Sequence, residues 1–183
     1  MSVPLTQALG PMKSALVFFG ALLLSAPLSS APKKPGAAPT AAQILSRIAA
    51  EGGHKVAWDL WDHDVEFNHV TRGIGSGDAQ WLEVARQLAP HSDAGLSLSL
   101  DYSVAIALPK APTRVLALIG HGFELDRVCT SPFIEPDPGV AEAYERRTLV
   151  ALARVTDPAL KPLAVKCSQA VRLSPPVATP AKL

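Results

Sequence analysis

The sequence predicts an all-α fold, a single small domain of about six or seven short antiparallel helices, on three observations. Hydrophobic residues make up 48% of the 183 residues but aromatic residues only 5%, and the excess of Ala, Leu and Val suits close helix packing. Successive segments repeat their apolar residues with the 3.6-residue period of a helix. In only one segment do apolar residues occupy every second position, as they do in a half-buried strand. No second convincing strand exists to pair with it. A small helical-repeat-like stack is compatible with this pattern, although no repeat period is evident.

Residues 1–31 have the layout of a secretory signal peptide. Lys13 precedes an uncharged apolar run over residues 15–24, and small residues and prolines follow as far as Ala31. The run is about half of the roughly 20 residues that a membrane-spanning helix needs, so no transmembrane span is expected in the mature chain. The pattern predicts a periplasmic or secreted protein.

The cleavage position and the start residue follow from the same region. Ser29 and Ala31 place small side chains where signal peptidase reads them, which predicts cleavage after Ala31. Met12 is an alternative true start, because residues 1–11 carry no charge. The opposing interpretation is a buried amino-terminal helix of a cytosolic protein.

The folded domain is predicted to span residues 40–173. Residues 32–39 combine three prolines with a glycine and no large apolar side chain, which is typical of a Pro/Ala-rich linker. Residues 174–183 have the same character and are predicted to be a disordered tail.

The first helices are predicted from their caps and periodicity. Thr40 and Gln43 form the pattern of a capping box ahead of an apolar helix that Gly52 ends. Residues 54–70 mix apolar and acidic residues and predict one or two short helices. We interpret the glycines of residues 73–77 as a turn between helices.

The next helix begins after a second cap. Asp78 precedes a set of apolar residues on one helical face, and Pro90 stops the pattern. The members of that face are Trp81, Leu82, Ala85, Leu88 and Ala89.

Residues 96–108 fit a helix or a strand. Their apolar residues alternate strictly, as in a half-buried strand. A helix capped by Asp93 also fits, and it would place Ser97 and Asp101 outside an apolar stripe. We favour the helix because the neighbouring segments are helical. The stripe is Leu96, Leu100, Val104, Ala107 and Leu108.

Three more helices complete the domain. Pro112 is predicted as the first residue of one that Gly120 breaks, and residues 139–155 form a longer one. The last is capped by Asp157, with its regular part beginning near Lys161 because of the following proline.

The two cysteines, Cys129 and Cys167, are predicted to form one disulfide. An exported chain favours this pairing, and no Cys-x-x-Cys motif indicates a redox site. Closing this loop would stabilise the fold by about 4 kcal/mol at most.

Three histidines are candidates for a metal-binding or catalytic site. His63 and His69 lie in an acidic segment, but their six-residue spacing puts them on opposite helix faces, which favours solvated surface over a metal site. His121 lies between two glycines with Glu124 and Asp126 nearby, where a general base is conceivable but no nucleophile is indicated. The sequence therefore predicts no catalytic, cofactor-binding or metal-ligating residue.

The remaining patterns also favour structure over chemistry. Trp58, Trp61 and Trp81 alternate with apolar residues and are interpreted as core anchors. Arg146 and Arg147 are interpreted as a solvated pair on a helix. The net charge is +1, with 17 basic and 16 acidic residues, so no overall field attracts nucleic acid.

Taken together, the patterns predict an exported helical protein that binds a protein partner in the cell envelope or supports an envelope assembly. The alternative is a small extracytoplasmic enzyme with a site near His63, His69 or His121.

Overall fold

The computed structural model describes residues 38–173, which hold nine α-helices, a 3₁₀ turn and no β-strand. The helices are α1 Ala41–Glu51, α2 Gly53–Trp61, α3 Asp64–Gly75, α4 Ala79–Leu88, α5 Ala94–Ala107, α6 Pro112–Leu116, α7 Leu125–Val128, α8 Val140–Ala153 and α9 Lys161–Leu173, with the 3₁₀ turn Ala89–His91 after α4. The predicted all-α class is confirmed. The number of helices exceeds the predicted six or seven, while the antiparallel order and the repeat-like stacking stay predictions.

Several predictions about the chain ends fall outside the described residues. They are the signal peptide over residues 1–31, residues 32–37 of the linker and the tail over residues 174–183. Within residues 38–173, none of the helices combines the length and the apolar character that crossing a membrane requires.

Two of the predicted amino-terminal caps, Thr40 and Asp78, are confirmed by side-chain hydrogen bonds. Thr40 Oγ1 accepts a hydrogen bond from the Gln43 backbone N–H at 3.3 Å, and Gln43 Oε1 accepts from the Thr40 N–H at 2.8 Å. Asp78 Oδ1 accepts from the backbone N–H groups of Gln80 at 2.9 Å and Trp81 at 3.3 Å. These bonds satisfy the exposed donors of the first turn and fix where α1 and α4 begin.

The interpretation of the three-glycine segment as a turn is wrong in part, because Gly73 and Gly75 lie in the last turn of α3. A Cβ at Gly73 would overlap the ring of Trp81, and a Cβ at Gly75 would lie 3.1 Å from Cγ2 of Ile106. These two glycines therefore let α4 and α5 approach α3 closely. Gly77, with a φ of 80°, has the left-handed conformation that a turn favours.

Helix α5 is the central helix, and it resolves the conflict over residues 96–108 in favour of helix. It packs against α3, α4, α6 and α7, so it is covered on several faces. This coverage explains why apolar residues alternate along it instead of following one stripe. The predicted stripe is nevertheless buried throughout: Leu96, Leu100, Val104, Ala107 and Leu108.

The prediction that Asp101 faces solvent is wrong. Its side chain is only 3% exposed, because α7 packs on that face of α5. Arg127 on α7 donates a hydrogen bond from Nη1 to Asp101 Oδ2 at 3.4 Å. Burial raises the pKa of Asp101, and the Arg127 guanidinium opposes that rise. Asp93 stands at the N-cap position of α5, but its side chain makes no capping hydrogen bond, so the prediction that it caps the helix is confirmed only in position.

The later helices agree with the sequence in position but differ in length. Pro112 is the first residue of α6, which ends at Leu116, earlier than the apolar pattern suggests. The segment after it turns through Gly120 and Gly122, both with positive φ. Helix α8 lies inside the predicted residues 139–155, and α9 begins at Lys161 as expected.

The predicted disulfide is present between Cys129 and Cys167. Their Cα atoms lie 5.1 Å apart, and both residues are fully buried. The bond joins the residue after α7 to the middle of α9, which otherwise packs mainly against α8. It therefore fastens the carboxyl-terminal helix to the central part of the domain.

Candidate functional site

The three candidate histidines lie in three separate environments. His63 is exposed at the start of α3, and its Nδ1 lies 2.6 Å from the Asp59 carbonyl oxygen, a contact that raises the pKa of His63. His69 Nε2 lies 2.9 Å from the carbonyl oxygen of Pro39, and its ring packs edge-on against Trp81. His121 is exposed in the glycine turn after α6. In the described part of the chain, no set of three His, Cys, Asp or Glu residues is grouped as a metal site requires.

The acidic segment around His63 belongs to an ion-pair network centred on Arg47. This guanidinium on α1 binds Asp59 on α2, Glu66 on α3 at 2.9 Å and Glu51 at 3.3 Å. The hydrogen bond from Arg47 lowers the pKa of Asp59. These carboxylates therefore join the first three helices.

The tryptophans also have structural surroundings. Trp61 packs edge-to-face on Phe67 with ring centroids 5.4 Å apart, and Trp81 lies over Gly73. Trp61 and Trp81 are partly buried against the core, in keeping with their interpretation as core anchors. Trp58 is half-buried beside His54.

Three neighbouring recesses, called lobes below, lie along α3, α5 and α8, and each shares lining residues with the next. The α3 lobe, of about 250 Å³, shares Ile106 and Lys110 with a central lobe of about 320 Å³. The central lobe shares Pro109 and Arg147 with an α8 lobe of about 330 Å³. We call this feature the basic groove. Its lining is Thr71, Arg72, Gly75, Ser103, Ile106, Pro109, Lys110, Phe133, Tyr144, Arg146, Arg147, Val150, Ala151 and Arg154.

The floor of the groove is apolar and held firmly by Tyr144. This residue is buried, and its hydroxyl donates a hydrogen bond to the Ala105 carbonyl oxygen at 2.8 Å, which fixes α8 against α5. Burial raises the pKa of Tyr144 to about 12, so the hydroxyl keeps its proton. The ring of Phe133 packs edge-to-face on Tyr144 with centroids 5.6 Å apart. The central lobe is therefore a rigid aromatic recess.

The rim of the groove is basic. It carries Arg72, Lys110, Arg146, Arg147 and Arg154, and no Asp or Glu of the described residues lines it. Lys110 donates from Nζ to the Gly75 carbonyl oxygen at 2.5 Å, which holds the ammonium group at the α3 lobe. The four arginines make no ion pair within residues 38–173.

Arginines with no acidic partner beside a recessed apolar floor suit an anionic ligand that also carries an apolar group. A guanidinium binds a carboxylate or phosphate through two parallel hydrogen bonds and keeps its proton at neutral pH. The groove can therefore hold an anion, but its arginines cannot exchange protons with a substrate. Among the described residues, none of the histidines lines it.

Reasoning from the sequence missed this site, apart from naming Arg146 and Arg147 as a solvated pair. One local signal was present on α8. Tyr144, Arg147, Ala151 and Arg154 recur at intervals of three and four residues, so they share one helix face. A stripe that mixes arginine with apolar residues is unusual for a face that only meets water or core.

Searches against models of protein families, against curated proteins and against solved structures find no match to this chain.

Proposed function

We propose that this protein is an exported, non-enzymatic module that binds another protein of the cell envelope through the basic groove. One observation carries the proposal: five basic residues surround a recessed apolar floor with no acidic side chain among the described lining residues. Such a surface combines charge attraction with burial of apolar area, which are the two components of a specific protein interface.

Export is the second part of the proposal. It rests on the signal-peptide pattern of residues 1–31 and on the buried disulfide, which suits an oxidising compartment. Intact mass of the protein isolated from the secreted or periplasmic fraction tests it. We expect a chain that begins at Pro32 and gains two hydrogen masses on reduction. An uncleaved chain with two free thiols in cells would contradict export.

The enzymatic alternative gains no support from this groove. An enzyme built on His63, His69 or His121 needs its imidazole beside the bound substrate. None of these rings is among the groove-lining residues, and His63 and His69 contact different backbone carbonyl oxygens. A binding function needs only the charges and the recess that the groove offers.

Photocrosslinking tests whether the groove is the binding site. Val150 lines the α8 lobe and is 53% exposed, whereas Val165 on α9 lies outside the groove and is 55% exposed. Each valine is replaced in turn by a photoreactive phenylalanine analogue, and the protein is irradiated in an envelope extract of the source cells. We expect a discrete protein adduct from position 150 and none from position 165.

A charge variant provides the second control. Arg147→Glu combined with Arg154→Glu should abolish the adduct at position 150, because the rim then repels an anionic partner. The same adducts from both positions, or an adduct that survives the charge reversal, would overturn the groove as the site.

A further inference from the structure

We infer that the occupant of the basic groove is an extended acidic segment of the partner protein, with an apolar side chain between two carboxylates at alternate positions. This inference rests on the proposed binding function and specifies its ligand. It follows from the order of charges along the groove, from the spacing of the lobes and from the depth of the apolar floor.

The charges flank the apolar recess on both sides. The central lobe is the most aromatic part of the groove, lined by Phe133 and Tyr144. Arg72 lies on one side of it in the α3 lobe, and Arg154 lies on the other side in the α8 lobe. A complementary ligand therefore carries an anion, then an apolar group, then a second anion.

The spacing of the lobes suits an extended peptide. The α8 residues of the central lobe and those of the α8 lobe are centred roughly four positions apart, which is about 6 Å along a helix. Side chains at positions i and i+2 of an extended strand lie about 6.6 Å apart on the same side. The central lobe and the α8 lobe can thus each take one of two alternate side chains.

The depth of the floor favours a peptide over a membrane surface. Membrane-binding faces present their apolar side chains outward so that these can enter the lipid. Here Tyr144 is only 2% exposed and lines the central lobe together with Arg147, whose side chain is exposed. A narrow chain can reach such a floor, whereas a flat layer of headgroups meets the arginines first.

Fluorescence anisotropy with synthetic peptides tests the inference on the mature, disulfide-bonded protein. The probe is a blocked, dye-labelled peptide with Asp, Phe and Asp at alternate positions in a Gly and Ser background. One comparison peptide has the same composition with the two Asp residues adjacent at one end, and another has Asn in place of both Asp. We expect each comparison peptide to bind about tenfold more weakly than the probe.

Two double variants with the same loss of charge locate the binding. Arg147→Gln with Arg154→Gln should weaken probe binding by about tenfold. Lys161→Gln with Lys166→Gln removes two exposed charges on α9, outside the groove, and should change binding by less than about twofold.

Each remaining outcome overturns the inference. Equal binding of all peptides would show that the groove does not distinguish between peptides with different side-chain patterns. Arginine-dependent binding to vesicles of one part phosphatidylglycerol and three parts phosphatidylcholine, without peptide binding, would assign the groove to lipid. Arginine-dependent self-association in sedimentation would assign it to a second copy. If the peptides fail while the adduct at position 150 persists, the segment pattern is wrong but the proposed function stands.

Discussion

The basic residues of this protein behave differently in its two halves. In the first four helices, Arg47 contacts three carboxylates, Lys55 pairs with Glu51, and Arg86 pairs with Glu83. Around the basic groove, Arg147 and Arg154 are exposed with no carboxylate partner in residues 38–173. Among the described residues, Arg47 and Lys55 thus join helices through ion pairs with carboxylates, whereas the arginines of the basic groove have no such partner.

This difference separates charges that join helices from charges that the proposed binding function would use. Two like charges about 4 Å apart repel by about 1 kcal/mol in water and by more near a protein surface. A cluster of arginines without carboxylate partners therefore gains no stabilising ion pair among the described residues. An anionic ligand is the simplest physical reason for keeping them together.

Removal of the disulfide should give the largest effect, and it should act mainly on the half that contains the groove. Cys129→Ala with Cys167→Ala should lower the free energy of unfolding by about 2–4 kcal/mol, because the unfolded chain is no longer closed into a loop. Urea denaturation measures the change. Amide exchange should show α8 and α9 losing more protection than α1 to α4, since the bond fastens α9.

Reduction of the unmodified protein is the control for the effect of the new side chains. The reduced chain should unfold at nearly the same urea concentration as the double variant. Unchanged stability in both, or protection lost equally in all helices, would contradict this division of the molecule.

A matched pair of arginine variants should give the next largest effect. Arg47→Gln should destabilise the protein by about 1 kcal/mol, because it leaves Asp59 and Glu66 without their cation, while Glu51 keeps its ion pair with Lys55. Arg147→Gln should leave the stability within about 0.5 kcal/mol of the original, since Arg147 makes no ion pair among the described residues. Denaturation of both variants in the same buffer measures the contrast. Equal losses would show that the groove arginines also support the fold.

The features that the sequence predicted well are local. Thr40 with Gln43, and Asp78 with the helix that follows it, carry their capping bonds within three residues, so tertiary structure is not needed to identify them. The pairing of Cys129 with Cys167 needed only the cysteine count and the export pattern.

The features that it missed depend on contacts between distant residues. Asp101 has the position of an outward-facing residue on an amphipathic helix, but α7 packs over it from 26 positions further along the chain. In the sequence Gly73 resembles a turn residue, but in the fold it packs against the ring of Trp81. A pattern within one helix cannot reveal which neighbour covers its second face.

The groove was missed for the same reason. Its lining comes from α3, from the end of α5, from the loop that holds Phe133 and from α8. Only the α8 stripe is visible within one element, and in the sequence Arg146 and Arg147 have the pattern of an ordinary solvated pair. The sequence does not show which basic side chains form ion pairs with carboxylates in the folded chain.

The smallest expected effect is a change in the pKa of one carboxyl group that forms an ion pair in the first four helices. Two hydrogen bonds from Arg86 lower the pKa of Glu83 to about 2. Because the folded pKa is lowered, this pair contributes its stability above the ordinary carboxyl range and loses it as the pH falls towards 2. Titration of the carboxyl carbons by NMR should show Arg86→Gln returning Glu83 towards its ordinary pKa. The lowered pKa of Asp59 should stay unchanged in that variant, because Arg47 is its principal cause. A shift in the pKa of both Glu83 and Asp59 would mean that the two ion pairs are coupled. The ion pairs of the first four helices would then form one network instead of independent local pairs.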